Sequence, residues 1–376
     1  MKVTLNRTEF MQELQTVQRA ISSKTTIPIL TGVKLDLSDS GLTLTGSNAD
    51  ISIETFLSAE KEKVQMKIEK TGAIVLQARF FSEIIRRLPD NTVTLEVLEN
   101  NQVAITSGKA NFTVNGLDAD SYPHLPVVES QDRIEIPVHI LNKVINETVF
   151  AVSQHESRPI LTGVHFVLEN KKLLAVATDS HRLSQRVIPL ESGDADFNIV
   201  IPGKSLSELS RSLTDEEETI QISIMDNQVL FQTKTMKFYS RLLEGTYPDT
   251  NRLIPSSFNT EIEFSVPELL AAIERASLLS HEGRNNIVRL SIDENSVVLY
   301  GNSPEIGKVE EGLTYEQVTG EPLEISFNPD YMKAALRAFG DTSITIRFIS
   351  AIRPFTLEPT ESQGSFIQLI TPVRTN

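Results

Sequence analysis

The stretch Pro28-Ile29-Leu30-Thr31-Gly32-Val33, PILTGV, is spelled a second time at Pro159 to Val164. Laid over each other, Ile27 to Thr55 (IPILTGVKLDLSDSGLTLTGSNADISIET) and Arg158 to Arg186 (RPILTGVHFVLENKKLLAVATDSHRLSQR) need no gap. Each copy alternates apolar and polar residues, as at Val33, Leu35 and Leu37 and at Val164, Phe166 and Leu168, then breaks at a polar turn and resumes. That alternation predicts a half-buried antiparallel hairpin. A six-residue identity inside a gapless pattern is hard to obtain by chance, so the chain carries an internal repeat.

A weaker third copy runs from Asn286 to Val309 (NIVRLSIDENSVVLYGNSPEIGKV), and placing Arg284 under Arg158 gives nearly the same spacing again. The chain therefore divides into thirds, 1–126, 127–253 and 254–376. Within them Ala78 to Leu88, Gly203 to Leu213 and Pro329 to Phe339 have apolar residues at helical spacing. The first two lead into similar hairpins, VTLEVLENNQVAIT and IQISIMDNQVLFQT, and the third into the less clearly turned ITIRFISAIRPFTLEP. Longer amphipathic helices are expected ahead of each PILTGV-type hairpin, at Arg7 to Ser23, Val138 to Gln154 and Pro267 to His281. The fold class is α+β: three repeated domains, each with two helices packed on one face of an antiparallel sheet.

Composition narrows the chemistry. Among 376 residues there is no Cys, which excludes disulfides, thiolate nucleophiles and thiolate metal sites and leans towards a reducing, cytoplasmic setting. The opening MKVTLNRTEFMQEL has no apolar leader, and no run of about 18 apolar residues occurs. A net charge of −15 repels polyanions on average. The helical stretches taken together are nevertheless weakly positive, so the strands and loops carry the negative charge. Helices facing a polyanion would suit loose, sequence-independent phosphate contact; basic residues on solvated helix faces are the simpler alternative. With no Trp and 6% aromatic residues, stacking on single-stranded bases has little support.

No catalytic constellation assembles. Thr178-Asp179-Ser180-His181-Arg182-Leu183 sets Asp, Ser and His side by side, but a triad needs its members to converge from different elements. Ile201-Pro202-Gly203-Lys204-Ser205 ends like a phosphate loop, yet Asn198 stands where the upstream Gly belongs. The six His residues (His124, His139, His155, His165, His181, His281) lack metal-ligand spacing, so neither metal nor cofactor is expected. The acidic run Asp215-Glu216-Glu217-Glu218 reads as a solvated turn.

The threefold repeat, the PILTGV hairpin, ATDSHRL, TYPDTNRLIP and the C-terminal LITPVR together resemble the bacterial sliding clamp family, the beta subunits of DNA polymerase III, over the whole chain. The resemblance implies a head-to-tail homodimer closed into a ring around duplex DNA, helices lining the hole and sheets forming the outer wall. The implied DNA-facing residues are Lys24, Arg79, Arg86, His155, Arg158 and Lys204. A cleft between the second and third domains would capture short linear peptides of polymerases, repair proteins and the clamp loader. Its implied residues are Leu161, Thr178, His181, Arg182, Leu183, Pro248, Arg252, Leu253, Asn328, Tyr331, Ile352, Leu369, Ile370, Pro372, Val373 and Arg374. Leu183, Leu253, Ile370 and Val373 would supply apolar pockets, while His181 and Arg182 orient the peptide. Phe112, Leu278 and Leu279 match positions that meet across the subunits. The expected function is a non-enzymatic processivity factor. Two rivals remain, a hydrolase built on Asp179-Ser180-His181 and a scaffold that binds proteins only.

Overall fold

The computed structural model describes residues 1–126, 133–155, 157–190, 196–213, 219–280 and 286–375. The acidic run at Asp215 to Glu218, together with His281 and Arg284, lies outside the described residues. Six α-helices are present among those described: α1 (Arg7–Gln18), α2 (Ala78–Arg87), α3 (Val138–Thr148), α4 (Gly203–Ser212), α5 (Val266–Ser280) and α6 (Pro329–Phe339). Helix α1 starts where the Asn6 side chain accepts the Thr8 and Glu9 amides at 2.9 and 3.2 Å, and it buries Phe10, Leu14 and Val17 along one stripe. It stops short of the expected Ser23, because beyond it Ser22 and Thr25 accept the Lys24 and Ile27 amides and offer the backbone an alternative to the helix. Helix α3 likewise ends early, at Thr148, and gives way to a 3-10 turn over Val149–Ala151.

Both PILT stretches fold as 3-10 turns, Pro28–Thr31 and Pro159–Thr162, and the hairpins begin only at the following Gly. In each turn the Thr hydroxyl donates back to the Pro carbonyl, at 2.8 Å from Thr31 and 2.6 Å from Thr162. A glycine follows because a Cβ at position 32 would collide with Val75 and one at 163 with the Ile201 carbonyl.

The chain divides into two compact units, Met1–His139 with Ser207–Leu242, and Ile140–Leu206 with Leu243–Asn376. Among the described residues the first holds a 13-stranded sheet and the second a nine-stranded and a four-stranded one, with the strand pairs antiparallel. These units cut through the middle third of the sequence repeat, because sheets run on from one third into the next. Met236–Arg241 pairs with Ile51–Ser58, placing Phe238 opposite Ile53 and Tyr239 opposite Ser52. Phe366–Ile370 pairs with Arg182–Pro189, placing Gln368 opposite Ser184 and Leu369 opposite Leu183. The two junctions are equivalent: each joins the third strand of a PILTGV-type half to the last strand of the following third. The loosely turned ITIRFISAIRPFTLEP forms a pair as well, Ser343–Phe348 with Phe355–Pro359. Its core side chains, with Ile262, Phe264, Ile273 and Phe327, build an extensive apolar cluster in the second unit.

Candidate functional site

The predicted cleft residues fall within the second unit, and several converge on a small apolar cluster. Leu161, Leu183 and Leu369 are buried together with Val176, Val200 and Tyr247, and Ile160 and Leu243 pack at the margin. Leu183 and Leu369 are the cross-strand pair of the junction itself. In the equivalent register of the first junction the pair is Ser52 and Tyr239, and the Tyr239 hydroxyl donates to the Pro126 carbonyl at 3.3 Å. Burial pushes the Tyr239 phenol up to about 12, which keeps it a neutral donor. The second junction thus sets an aliphatic pair where the first sets Ser and Tyr.

The ATDSHRL segment forms the wall beside the apolar cluster. Thr178 ends its strand and donates its hydroxyl proton to the Arg182 carbonyl at 2.6 Å, while Ser180, at φ 78°, makes the turn and donates its amide to Thr178 Oγ1. The Asp179 carboxylate accepts the amides of His181 and Arg182 at 2.9 and 3.0 Å and pairs with Arg182 Nε at 3.1 Å. The Arg182 guanidinium lies 4.7 Å from the Tyr331 ring centre and 5.6 Å from that of Phe150, and His181 stacks on Tyr331 at 6.3 Å. Asn328 caps α6 by accepting the Asp330 amide at 2.8 Å, which holds Tyr331 in the helix's first turn.

The C-terminal segment closes the arrangement from the third domain, as the Thr371 amide donates to the His181 carbonyl at 2.9 Å and the Val373 amide to that of Ser326 at 2.8 Å. Pro372 is buried, and Pro248, Arg252 and Arg374 are exposed. Arg252 is held at 2.8 Å by Asp249, and Leu253 and Ile352 expose about half of their surface, 48% and 58%. Ile370 is 1% exposed, as Leu183 is, and packs in the core cluster of the third domain, on the opposite face of its strand from Leu369.

Sequence reasoning passed over Tyr247, whose hydroxyl accepts the Thr178 amide at 3.1 Å and whose ring stacks on His165 at 4.7 Å. A signal was available, since Tyr-Pro recurs at Tyr122-Pro123 and Tyr247-Pro248 after the last strand of each of the first two thirds. Tyr122 packs with Leu30, Val75 and Ala119, the counterparts of Leu161 and its neighbours. Phe150 and Asp179 were missed also, because their roles depend on where Arg182 lies.

The Asp-Ser-His string is not a triad. Asp179 serves the backbone and Arg182, His181 faces Tyr331, and the Ser180 hydroxyl accepts from Arg158 at 3.3 Å. Among the described residues no group of three or more His, Asp or Glu could hold a metal ion. Of the expected DNA-facing cations, Lys24, Arg79, Arg158 and Lys204 are exposed, as is His155. Arg86 is exposed too but spends part of its charge on Glu83 at 2.8 Å. Phe112 is 41% and Leu278 71% exposed, while Leu279 is half-buried.

Three successive α+β domains, joined by strand pairing, define a clamp-type repeat protein. The chain belongs to the DNA polymerase III beta subunit family: its N-terminal domain model matches residues 1–126, its central domain model 135–249 and its C-terminal domain model 251–374. Among similar proteins, the beta sliding clamp of Streptococcus pneumoniae is 49% identical over 99% of both chains, and that of Bacillus subtilis 50% identical over the whole of both. Crystal structures of the S. pneumoniae beta chain and the B. subtilis sliding clamp superpose over the full length with TM-scores of 0.97 and 0.96.

Proposed function

We infer that this protein is a non-enzymatic DNA sliding clamp: two copies close head to tail around duplex DNA, and a cleft between the second and third domains tethers polymerases and the clamp loader by short peptides. Domain boundaries near residues 126 and 253 follow from the repeat. Each domain contributes a helix pair to the lining, and the cytoplasm is where such a clamp would work.

The observation that carries the closure is a pair of leftover strand edges. The strand-to-strand junction is made twice within the chain, at Ile51–Ser58 with Met236–Arg241 and at Arg182–Pro189 with Phe366–Ile370. The third members of these two sets are Gly307–Gly312, which is the edge of its sheet, and Ala110–Leu117, paired over Ala110 to Asn115 on one side only. An exposed edge is a template for another strand. Because the two edges differ, pairing them joins copies head to tail, and two copies supply the six domains that close a ring. Carrying the register over from Ile53 opposite Phe238 puts Val309 of one copy opposite Phe112 of the other. Encirclement makes strong phosphate contact unnecessary, which fits a chain of net charge −15 that still exposes cations such as Arg79 and Lys204 on its helices.

The experiment is loading by a clamp loader onto nicked circular duplex, followed by linearisation. An encircling protein slides off the free ends, whereas one bound by affinity stays. Retention on linear DNA would refute the ring. Because the chain has no Cys, Phe112→Cys with Val309→Cys gives one oxidisable pair per junction, expected to yield a covalent dimer.

A further inference from the structure

At the junction of the second and third domains the Arg182 guanidinium sits between the rings of Phe150 and Tyr331, with His181 stacked on Tyr331. The repeat states which residues hold those places where two copies would meet. Phe150 lies 12 residues beyond Val138, the first residue of α3, and Leu278 lies 12 beyond Val266, the first of α5. Tyr331 is the third residue of α6, as Phe80 is of α2. His181 and Arg182 follow the strand that ends at Thr178 by three and four residues, as Ile306 and Gly307 follow the one that ends at Ser303.

Leu278, Phe80 and Ile306, exposed by 71, 60 and 57%, thus stand in for Phe150, Tyr331 and His181, and Gly307 stands in for the arginine. Exposure of large apolar side chains at all three equivalent positions calls for a cover. A second copy of this chain is the occupant that the repeat and the adjoining free strand edges supply. The carried-over register sets Lys308 opposite Thr113 and Glu310 opposite Asn111, so no charge faces a charge along the strands. Glu311 is already held by Arg275 of its own chain at 3.0 Å.

We propose that Phe80 of one copy packs directly on Ile306 and Leu278 of the other, an apolar contact on the helix side of the paired strands that makes closure of the dimer tolerant of salt. This rests on the ring reading. With glycine in the arginine's place no counterpart of Arg182 separates the aromatic ring from the aliphatic pair, and the Arg79 guanidinium, 5.9 Å from the Phe80 ring centre, belongs to the same chain as that ring, so the contact between the copies is itself apolar.

The test is the monomer–dimer dissociation constant by sedimentation with fluorescence detection. From about 0.1 M to about 1 M NaCl the native protein should change by less than about threefold. Phe80→Ala should weaken association by about 30-fold or more, and Phe80→Ala with Ile306→Ala should cost far less than the two single effects combined. Thermal unfolding of the variants serves as the folding control, since both side chains are exposed in one chain. Phe80→Lys with Ile306→Glu should restore a dimer at low salt that is lost at high salt. A Phe80→Ala dimer within about threefold of native, or a native dimer weakened more than about tenfold by salt, overturns the proposal while leaving the ring intact. A native protein that is monomeric throughout overturns the ring reading itself.

Discussion

The Tyr247 hydroxyl accepts the Thr178 amide at 3.1 Å, tying the segment that enters the third domain to the strand that ends at the proposed cleft. Burial holds the phenol well above its ordinary pKa, and so it stays neutral at physiological pH. Removing the acceptor leaves a buried amide without a partner. Tyr247→Phe should cost about 1–3 kcal/mol in chemical denaturation and weaken peptide binding by fluorescence anisotropy. Tyr122→Phe, at the equivalent place in the first third, where the hydroxyl lies 3.5 Å from the Thr45 carbonyl, should leave peptide affinity unchanged.

Stability and binding should separate along the cleft. Leu183 is 1% exposed, so Leu183→Ala should destabilise the fold by about 2–5 kcal/mol as well as weaken peptide binding. Leu253 is 48% exposed, and Leu253→Ala should shift stability by about 0.5 kcal/mol or less while still reducing peptide affinity. Equal losses of stability in the two variants would contradict this placement.

Burial lowers the pKa of His165 from its ordinary 6.5, against the opposing hydrogen bond of 2.7 Å to Asn198. A depressed pKa means that the unfolded chain takes up the proton first as pH falls. The stability this neutral ring contributes is complete above 6.5, declines as pH falls below that value, and is lost once pH passes the folded-state value. Denaturation midpoints measured across this window should fall for the native protein and fall less steeply for His165→Gln.

The cations proposed to face DNA should act on electrostatics alone. Arg79→Ala and Lys204→Ala should each reduce the salt dependence of DNA association by about one phosphate's worth, with a smaller effect for Arg86→Ala because Glu83 already neutralises part of its charge. None should change retention on closed circular DNA after loading.

Ser180 turns the chain and accepts a hydrogen bond from Arg158. Ser180→Ala should therefore retain full activity in a primer-extension processivity assay. Loss of activity without loss of folding would revive a hydrolytic role for the Asp179-Ser180-His181 segment.

Strand and helix positions were legible because each repeats three times, and because amphipathic periods of two and 3.6 residues are properties of local sequence. The helix ends were less so: α1 and α3 stop early where short polar side chains or a 3-10 turn take over the backbone. Of the site, the Thr178 to Leu183 segment stood out through its divergence from Ser47 to Ser52. The face that Ile370 takes was not legible because, in a strand buried on both faces, neighbouring apolar residues give no sign of which way each one points.

By itself the sequence determined three copies of one domain, the absence of cysteine chemistry, and the spelling that resembles a clamp family. Tertiary structure alone decided that sheets continue from one copy into the next, that Leu183 meets Leu369 where Ser52 meets Tyr239, and that Arg182 comes to lie between Phe150 and Tyr331. The reason is physical. Periodicity records which face of an element is buried, whereas strands are joined by backbone hydrogen bonds whose acceptor every residue carries and whose donor every residue but proline carries, so the order of side chains does not by itself name the partner strand.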